Sequence, residues 1–209
     1  MKTDEFIFKN YFKDKISGIM VEVGSAGPEF LSQSNFFRKL GWRCICIDPN
    51  PKFVSEHIQV GNEIYEYACS YFNENGVDFE VVDVKNGDIS NQSFSSLSID
   101  DELIKYSGYS GGRTQLHIQT IKVNVRTLNS ILEESKAQTV DYVIVDVEGS
   151  ELEVMGGFDV EKYNPKIIVL ENNIPHRKDE YNSFMQIKGF KFDSISDGNN
   201  YVYLNKNYE

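Results

Sequence analysis

The sequence predicts a single α/β domain built on a doubly wound, mostly parallel sheet with an antiparallel strand at its C-terminal end. Short, nearly continuous apolar runs, which are typical of buried parallel strands, alternate with helix-like segments along the chain. The last two predicted strands, 190–195 and 200–204, are joined by a short polar turn and must therefore run antiparallel to each other.

Composition predicts one folded domain, residues 18–209, preceded by a short N-terminal segment, residues 1–17. The chain has 209 residues, of which 40% are hydrophobic, and this is enough to build one sizeable core. Residues 1–17 are rich in Phe and in charged side chains, and they are expected to form either a plain covering segment or an amphipathic helix that packs over a ligand-binding site. The three cysteines fit no disulfide framework or zinc pattern, so we expect core thiols in a cytoplasmic protein.

Charge and hydropathy argue against two classes of partner. No apolar run approaches the roughly 18 residues that a membrane span needs, so no membrane association is predicted. The formal net charge is −11, and Lys and Arg form no cluster. Because proteins that bind nucleic acid usually carry a basic stripe, no nucleic-acid partner is predicted either. The oligomeric state stays open.

The stretch from residue 18 to residue 31 predicts the binding loop of a nucleotide-type cofactor. The apolar run 19–23 favours a buried strand, and the following Gly24-Ser25-Ala26-Gly27 favours a tight turn that a ligand can approach closely. Pro28 suits the first position of a helix, and Gly41 is expected to cap the C-terminal end of that helix.

An acidic residue after the second predicted strand, 43–47, supports the cofactor site. Asp48 lies 21 positions after Gly27, close to the spacing of roughly 20 at which an acid meets a ribose hydroxyl in doubly wound folds. The loop lacks the glycine spacing of a dinucleotide fingerprint, and Glu22 is placed to meet a ligand's ammonium group. Together these features favour S-adenosylmethionine over NAD.

Two further predicted strands also end in carboxylates. The run 142–147 is interrupted by Asp146 and followed by Glu148, and the run 166–171 ends on Glu171. Ligands of open α/β sheets bind beyond the carboxyl ends of the strands. We therefore expect these acids to face the same crevice as the glycine loop.

The remaining segments predict the elements between these strands. Helices are expected over 51–62, 127–136 and 181–188 and from Glu151 onward with Ser150 as its cap. Strands are expected over 64–70, 77–84 and 116–125, and the alternating residues of the last predict an edge strand. Residues near 87–114 are rich in Ser, Asn and Gly and show no periodicity. They predict a mobile loop, which is either a lid or substrate-binding segment or a disordered surface insertion.

Several motifs resemble those of the FkbM-type methyltransferases, a class I family that depends on S-adenosylmethionine. The most specific is DVEGSE after the TLNSIL helix, and the resemblance also rests on VEVGSAGPEF, CICIDPNP and IIVLEN. It covers the chain from about residue 18 to residue 203. It implies a Rossmann-like doubly wound sheet and transfer of a methyl group to a hydroxyl of a sugar, a glycan or a small natural product.

The resemblance also implies roles for individual residues. The acidic pair beside the transferred methyl group would be Asp146 and Glu148. The loop SAGP departs from the family's more usual variant, which contains Asn. The methionine end of the cofactor would lie against Glu22, Gly24 and Gly27, and its ribose would lie against Asp48. The residues predicted to bind the cofactor are Glu22, Gly24, Ser25, Gly27, Asp48, Pro49 and Asp146.

The chemistry of this reaction needs a base, because a sugar hydroxyl is a weak acid that must lose its proton as it attacks the methyl group. Glu148 is the first candidate, with Asp146 more engaged by the cofactor, and His176 is the second candidate. Asp146, Glu148 and Glu171 could instead hold Mg²⁺, a hard cation that prefers carboxylate oxygens.

Two other functions stay open at this stage. An RNA or nucleotide methyltransferase of the same fold is opposed by the acidic charge of the chain. A catalytically silent binding module would be expected to have lost the acids of the cofactor site, and all of them are present.

Overall fold

The computed structural model describes residues 2–29, 31–83, 95–97, 101–106 and 117–208. None of the described helices is long and apolar enough to cross a membrane. In chain order the described strands are β1 (Ile19–Val23), β2 (Arg43–Ile47), β3 (Glu63–Tyr65), β4 (Ala68–Cys69), β5 (Glu74–Asp83), β6 (His117–Arg126), β7 (Tyr142–Val145), β8 (Ile167–Glu171), β9 (Phe190–Ser196) and β10 (Asn200–Asn205). The described α-helices are α1 (Thr3–Ile7), α2 (Ser34–Lys39), α3 (Pro51–Gln59), α4 (Asp101–Tyr106), α5 (Leu128–Glu134), α6 (Glu151–Gly156), α7 (Val160–Tyr163) and α8 (Lys178–Ile187).

The main sheet has the strand order β3-β2-β1-β7-β8-β10-β9. From β3 to β8 all neighbours pair in parallel, whereas β10 runs antiparallel to both β8 and β9. The predicted fold class is thus confirmed. Within the sheet, β2 is the neighbour of β1 on one side and β7 is its neighbour on the other. The sheet therefore has its topological switch point between β1 and β7. Ligands of this class of sheet bind at such a point.

The two faces of the main sheet bury separate apolar cores. Along β1, Val21 and Val23 belong to one core and Met20 to the other, as the two-residue period of a strand requires. Helices α5, α6 and α8 pack on the first face. The N-terminal segment packs on the second face, where Ile7 and Phe12 are buried.

The middle of the chain forms a second, three-stranded sheet of order β4-β6-β5 with a small core of its own. β6 was predicted as an edge strand, but it lies in the centre of this sheet, antiparallel to β5 and parallel to β4. Most of the loop predicted near 87–114 lies outside the described residues. Its described parts are not all loop, because Ser96 pairs with Glu80 and residues 101–106 form α4.

The start of α2 and the strand predicted over 64–70 both differ from the prediction. The helix expected to start at Pro28 begins only at Ser34, because Glu22 on β1 accepts hydrogen bonds from the backbone N–H of Gln33 and of Ser34 and so fixes the helix start there. The single strand predicted over 64–70 is two strands, with β3 in the main sheet and β4 in the small one.

Candidate active site

A cavity of about 260 Å³ lies at the carboxyl ends of β1, β2, β7 and β8, at the switch point of the main sheet. On the β2 side it is lined by Asp48 and by apolar side chains that include Phe53 and Phe79. On the β7 and β8 side it is lined by carboxylates and amides. The polar lining residues of this second side are Asp146, Glu148, Ser150, Glu171, Asp197, Asn199 and Asn200.

The loop after β1 is held between two neighbouring strands. The backbone N–H groups of Gly24 and Ser25 both donate to the carbonyl of Ile47, at 2.9 and 3.2 Å. Gly24 has a φ of +82°, and a Cβ at this position would overlap the carbonyl oxygen of Asp146, so only glycine fits. Gly24 lines the cavity, whereas the buried Ser25 and Gly27 do not. Ser25 and Gly27 were predicted to contact the cofactor, but neither residue lines the cavity in this structure.

Asp48 lines the cavity and also supports the loop. One of its carboxylate oxygens accepts from the Ala26 N–H at 3.0 Å, and the other accepts from the Asn50 N–H at 2.9 Å. Burial raises the pKa of Asp48 to about 7. Pro49, the neighbouring residue of the predicted set, lines the cavity as well.

His57 is a support of this loop that the sequence did not indicate. Its Nε2 lies 3.0 Å from the carbonyl oxygen of Ala26, and its Nδ1 lies 3.0 Å from the side-chain amide nitrogen of Asn62. Both contacts are satisfied by a neutral ring with its proton on Nε2, and burial favours that form because it lowers the pKa of His57. Ala26 is thus held at its N–H by Asp48 and at its carbonyl by His57.

Glu22 has a different place from the one predicted. It is only 3% exposed and does not line the cavity. One carboxylate oxygen accepts from the Gln33 N–H at 2.6 Å and the other from the Ser34 N–H at 3.1 Å, which satisfies donors at the start of α2. Burial raises its pKa to about 7. The structure therefore gives Glu22 a capping contact where the sequence predicted a ligand contact.

Three carboxylates from two strand ends meet in the cavity. One oxygen each from Asp146, Glu148 and Glu171 lies within 4.8 Å of the others. Asn173 donates to both Glu148 and Glu171, and Asn199 donates to Glu171 at 3.0 Å. These three residues form the acidic cluster (Asp146, Glu148 and Glu171). As expected, the acids after β7 and on β8 face one crevice. The two amide side chains that donate to them were not predicted.

The surroundings of the acidic cluster favour the protonated form of its carboxyl groups. Burial, with a further contribution from the charge of Glu148, raises the pKa of Asp146 to about 7. Burial and the neighbouring carboxylates raise the pKa values of Glu148 and Glu171 well above the usual range. A hydrogen bond between Glu171 and Asp146 lowers the pKa of Asp146 and raises that of Glu171. Such a group of carboxylates can accept a proton from a ligand or bind a divalent cation.

His176 is exposed and is not part of the cavity lining. It sits in the 3-10 turn Pro175–Arg177, its side chain is 57% exposed, and it does not line the cavity. Its Nε2 lies 3.6 Å from a carboxylate oxygen of Glu102. Asn173 is the residue after β8 that donates to the acidic cluster, and the role of His176 as second candidate base stays a prediction.

Comparison with known proteins assigns the chain to a family. Residues 21–192 match the methyltransferase FkbM domain. A comparison with curated proteins gives no match. The matched range contains the glycine loop, Asp48 and the whole acidic cluster, and it covers most of the chain. The chain therefore belongs to the FkbM-domain methyltransferases, as its motifs led us to expect.

Proposed function

We propose that this methyltransferase uses S-adenosylmethionine to methylate a hydroxyl group of a sugar, a glycan or a small natural product. The observation that supports this most is the division of one cavity into two sides. A glycine loop and an acid suited to a ribose lie on one side of the switch point, and three proton-accepting carboxylates lie on the other.

The residues of the first side fit the proposed cofactor chemically. Each carboxylate oxygen of Asp48 has a free lone pair beyond its bond to a backbone N–H, so it can accept from a ribose hydroxyl. Phe53, Ala68 and Phe79 provide an apolar wall that suits a flat base. Bound S-adenosylmethionine supplies an electrophilic methyl group, and Asp146 is the member of the acidic cluster that we expect to contact it.

Glu148 is the proposed general base. As the acceptor oxygen would bond to the methyl carbon and the carbon–sulfur bond of the cofactor would break, Glu148 in its ionised form would take the hydroxyl proton. The raised pKa of Glu148 makes this ionised form a stronger proton acceptor than an ordinary glutamate carboxylate. Asn173 holds the Glu148 side chain in the cavity through a hydrogen bond of 3.0 Å. A second use of the acidic cluster is to bind Mg²⁺, which would place a charged group against the acceptor oxygen.

The charge of the lining limits the acceptor. The described residues that line the cavity include five carboxylates (Asp48, Asp146, Glu148, Glu171 and Asp197) and no Lys, Arg or His. A phosphorylated acceptor would find no basic partner among these residues, so we expect a neutral or cationic acceptor. This supports a sugar hydroxyl over the alternative of an RNA or nucleotide substrate. A cytoplasmic location remains a prediction from the sequence.

Calorimetry with S-adenosylmethionine, S-adenosylhomocysteine and NAD tests the cofactor. We expect the first two to bind and NAD not to bind, and Asp48→Ala to weaken binding by roughly 1.5–3 kcal/mol, the scale of a hydrogen bond to a charged group. Equal affinity without this carboxylate would contradict the ribose placement. A screen of glycans and their phosphorylated counterparts then tests the acceptor, and a protein that binds the cofactor but methylates nothing would support the silent module.

A further inference from the structure

The loop that carries Glu148 has an unusual backbone conformation. After β7 ends at Val145, Glu148 has a φ of +57° and Gly149 a φ of +100°. A residue with a Cβ rarely adopts the left-handed region, because the Cβ crowds the backbone there. Some other part of the structure must therefore hold Glu148 in this conformation.

Glu151 provides the contacts that hold it. A single carboxylate oxygen of Glu151, Oε1, accepts from the Val147 N–H at 3.2 Å and from the Gly149 N–H at 3.0 Å. These two amides flank Glu148 on either side. Glu151 is only 1% exposed and does not line the cavity, so its carboxylate serves the loop and does not face the ligand.

The second carboxylate oxygen of Glu151 is fixed from α8. Oε2 accepts from the hydroxyl of Tyr181 at 2.6 Å, and Tyr181 is 1% exposed. The Arg177 guanidinium lies over the Tyr181 ring, 5.4 Å from its centroid, and donates to the Gly149 carbonyl at 3.2 Å. Helix α8 and the turn before it thereby orient the carboxylate that orients the loop.

An ordinary helix cap does not explain this arrangement. The side chain of Ser150, the predicted cap, makes no capping hydrogen bond, although α6 does begin at Glu151 as expected. Glu153 is also an acid in the first turn of α6, but it is exposed. An exposed acid such as Glu153 is enough to provide a favourable charge at the start of the helix. The buried Glu151 differs from it because it also makes specific contacts with the loop.

We propose that Glu151 is a positioning residue that sets the rate of methyl transfer by holding the Glu148 loop in its left-handed conformation. This inference rests on the proposed role of Glu148 as the base. Glu151 acts through the backbone of the loop and does not contact the substrate. Its effect requires that a side-chain oxygen at position 151 is close enough to accept hydrogen bonds from the Val147 and Gly149 amides.

Two substitutions separate the reach of this side chain from its charge. Glu151→Gln keeps a side-chain oxygen at the same distance from the loop amides but removes the charge. Glu151→Asp keeps the charge, but its side chain is shorter by one methylene group, so the carboxylate lies farther from the amides. We expect Glu151→Asp to lower kcat by roughly 10- to 100-fold, the scale of a misplaced catalytic group, with KM and S-adenosylmethionine affinity changed less than about threefold. Glu151→Gln should retain most of kcat, and Glu153→Gln, the matched control in the same turn, should retain all of it.

Hydrogen exchange of the Val147 and Gly149 amides provides a readout that needs no methyl transfer. Exchange should become faster in Glu151→Asp and stay near the native rate in Glu151→Gln. A Glu151→Asp enzyme with native kcat and native exchange would overturn the proposal, as would a Glu151→Gln enzyme that is as slow as Glu151→Asp. Absence of methyl transfer in the native protein would instead refute the proposed function, and the exchange rates would still decide whether Glu151 holds the loop.

Discussion

At the scale of single residues, Gly24 is the position where the site tolerates a side chain least. Its φ of +82° is unfavourable for any residue with a Cβ, and a Cβ would also overlap the Asp146 carbonyl oxygen. This close approach joins the loop after β1 to the chain that leaves β7. It therefore fixes the glycine loop relative to the acidic cluster.

Gly24→Ala should destabilise the protein by more than about 3 kcal/mol, because backbone strain adds to an overlap with rigid backbone. Gly41→Ala is the matched control, since Gly41 has a nearly equal φ of +85° but nothing within 4 Å of an added Cβ. The control should cost only about 1 kcal/mol. Denaturant unfolding measures both values, and equal losses would show that the contact with Asp146 has no energetic weight.

The raised pKa of Asp146 predicts that the ligand-free protein loses stability as the pH rises. An unfolded Asp releases its proton near its ordinary pKa of 3.8, whereas folded Asp146 keeps it to about pH 7. The folded state thus binds more protons than the unfolded state between these values, and the free energy of unfolding falls across that window. Glu22 and Asp48, with pKa values of about 7, act in the same direction.

Asp146→Asn should reduce this loss, because the amide has no proton to release. We expect the variant to gain roughly 2 kcal/mol relative to the native protein on going from pH 5 to pH 8. Glu153→Gln, which removes an exposed carboxylate, is the control and should leave the pH dependence unchanged. Unfolding at the two pH values measures the effect, and parallel curves for Asp146→Asn and the native protein would contradict it.

A residue's place at the cavity was predictable only where its position along a strand decides that place. Asp48, Asp146, Glu148 and Glu171 end or follow parallel strands, and the shared edge of the sheet brings them to one cavity. Glu22 also lies on a strand near that edge, but the start of α2 occupies its carboxylate. Which amides come within reach of a side chain depends on tertiary packing, and the sequence pattern does not contain that information.

At the scale of elements, the small sheet contributes one wall of the cavity. Phe79 on β5 is 5% exposed, belongs to the core of this sheet and lines the cavity. Val123 on β6 belongs to the same core but does not line the cavity. The two residues therefore separate the stability of the small sheet from its role at the site.

Phe79→Ala should cost roughly 3–5 kcal/mol of stability and weaken S-adenosylmethionine binding by about tenfold, because a buried ring and part of the cavity wall are lost together. Val123→Ala should cost roughly 1–3 kcal/mol with little change in affinity. Unfolding and calorimetry on both variants test this pair. An unaltered affinity in Phe79→Ala would show that the small sheet does not form part of the cofactor site.

The strands and helices of the main sheet were predictable from apolar runs, because buried parallel strands have a distinct composition. Strands were also predicted where β5 and β6 of the small sheet lie, but their pairing into a second sheet was not predicted, since it joins segments far apart in the chain. β6 illustrates this difficulty, because its alternating residues suggested an edge strand although both of its sides are paired. The passage from β3 to β4 is also invisible in the sequence, because one apolar stretch supplies strands to two sheets.

At the scale of the whole molecule, the strand order decides where chemistry can occur. Since β2 and β7 lie on opposite sides of β1, the carboxyl edge of the sheet opens between them. The glycine loop and Asp48 occupy one side of this opening and the acidic cluster the other. Family membership and the strand order agree, and together they make the acidic cluster the place where methyl transfer is expected.

The central claim is that Glu148 is the base, and single-turnover kinetics of Glu148→Gln test it most directly. The variant keeps the shape of the side chain but cannot accept the proton, so its rate should fall by roughly 10²- to 10⁴-fold with little change in cofactor affinity. His176→Ala, which alters the exposed histidine after β8, should remain active. Both enzymes should be measured with and without Mg²⁺. Native activity in Glu148→Gln beside an inactive His176→Ala would contradict the claim, and a strict Mg²⁺ requirement would make Glu148 a metal ligand instead.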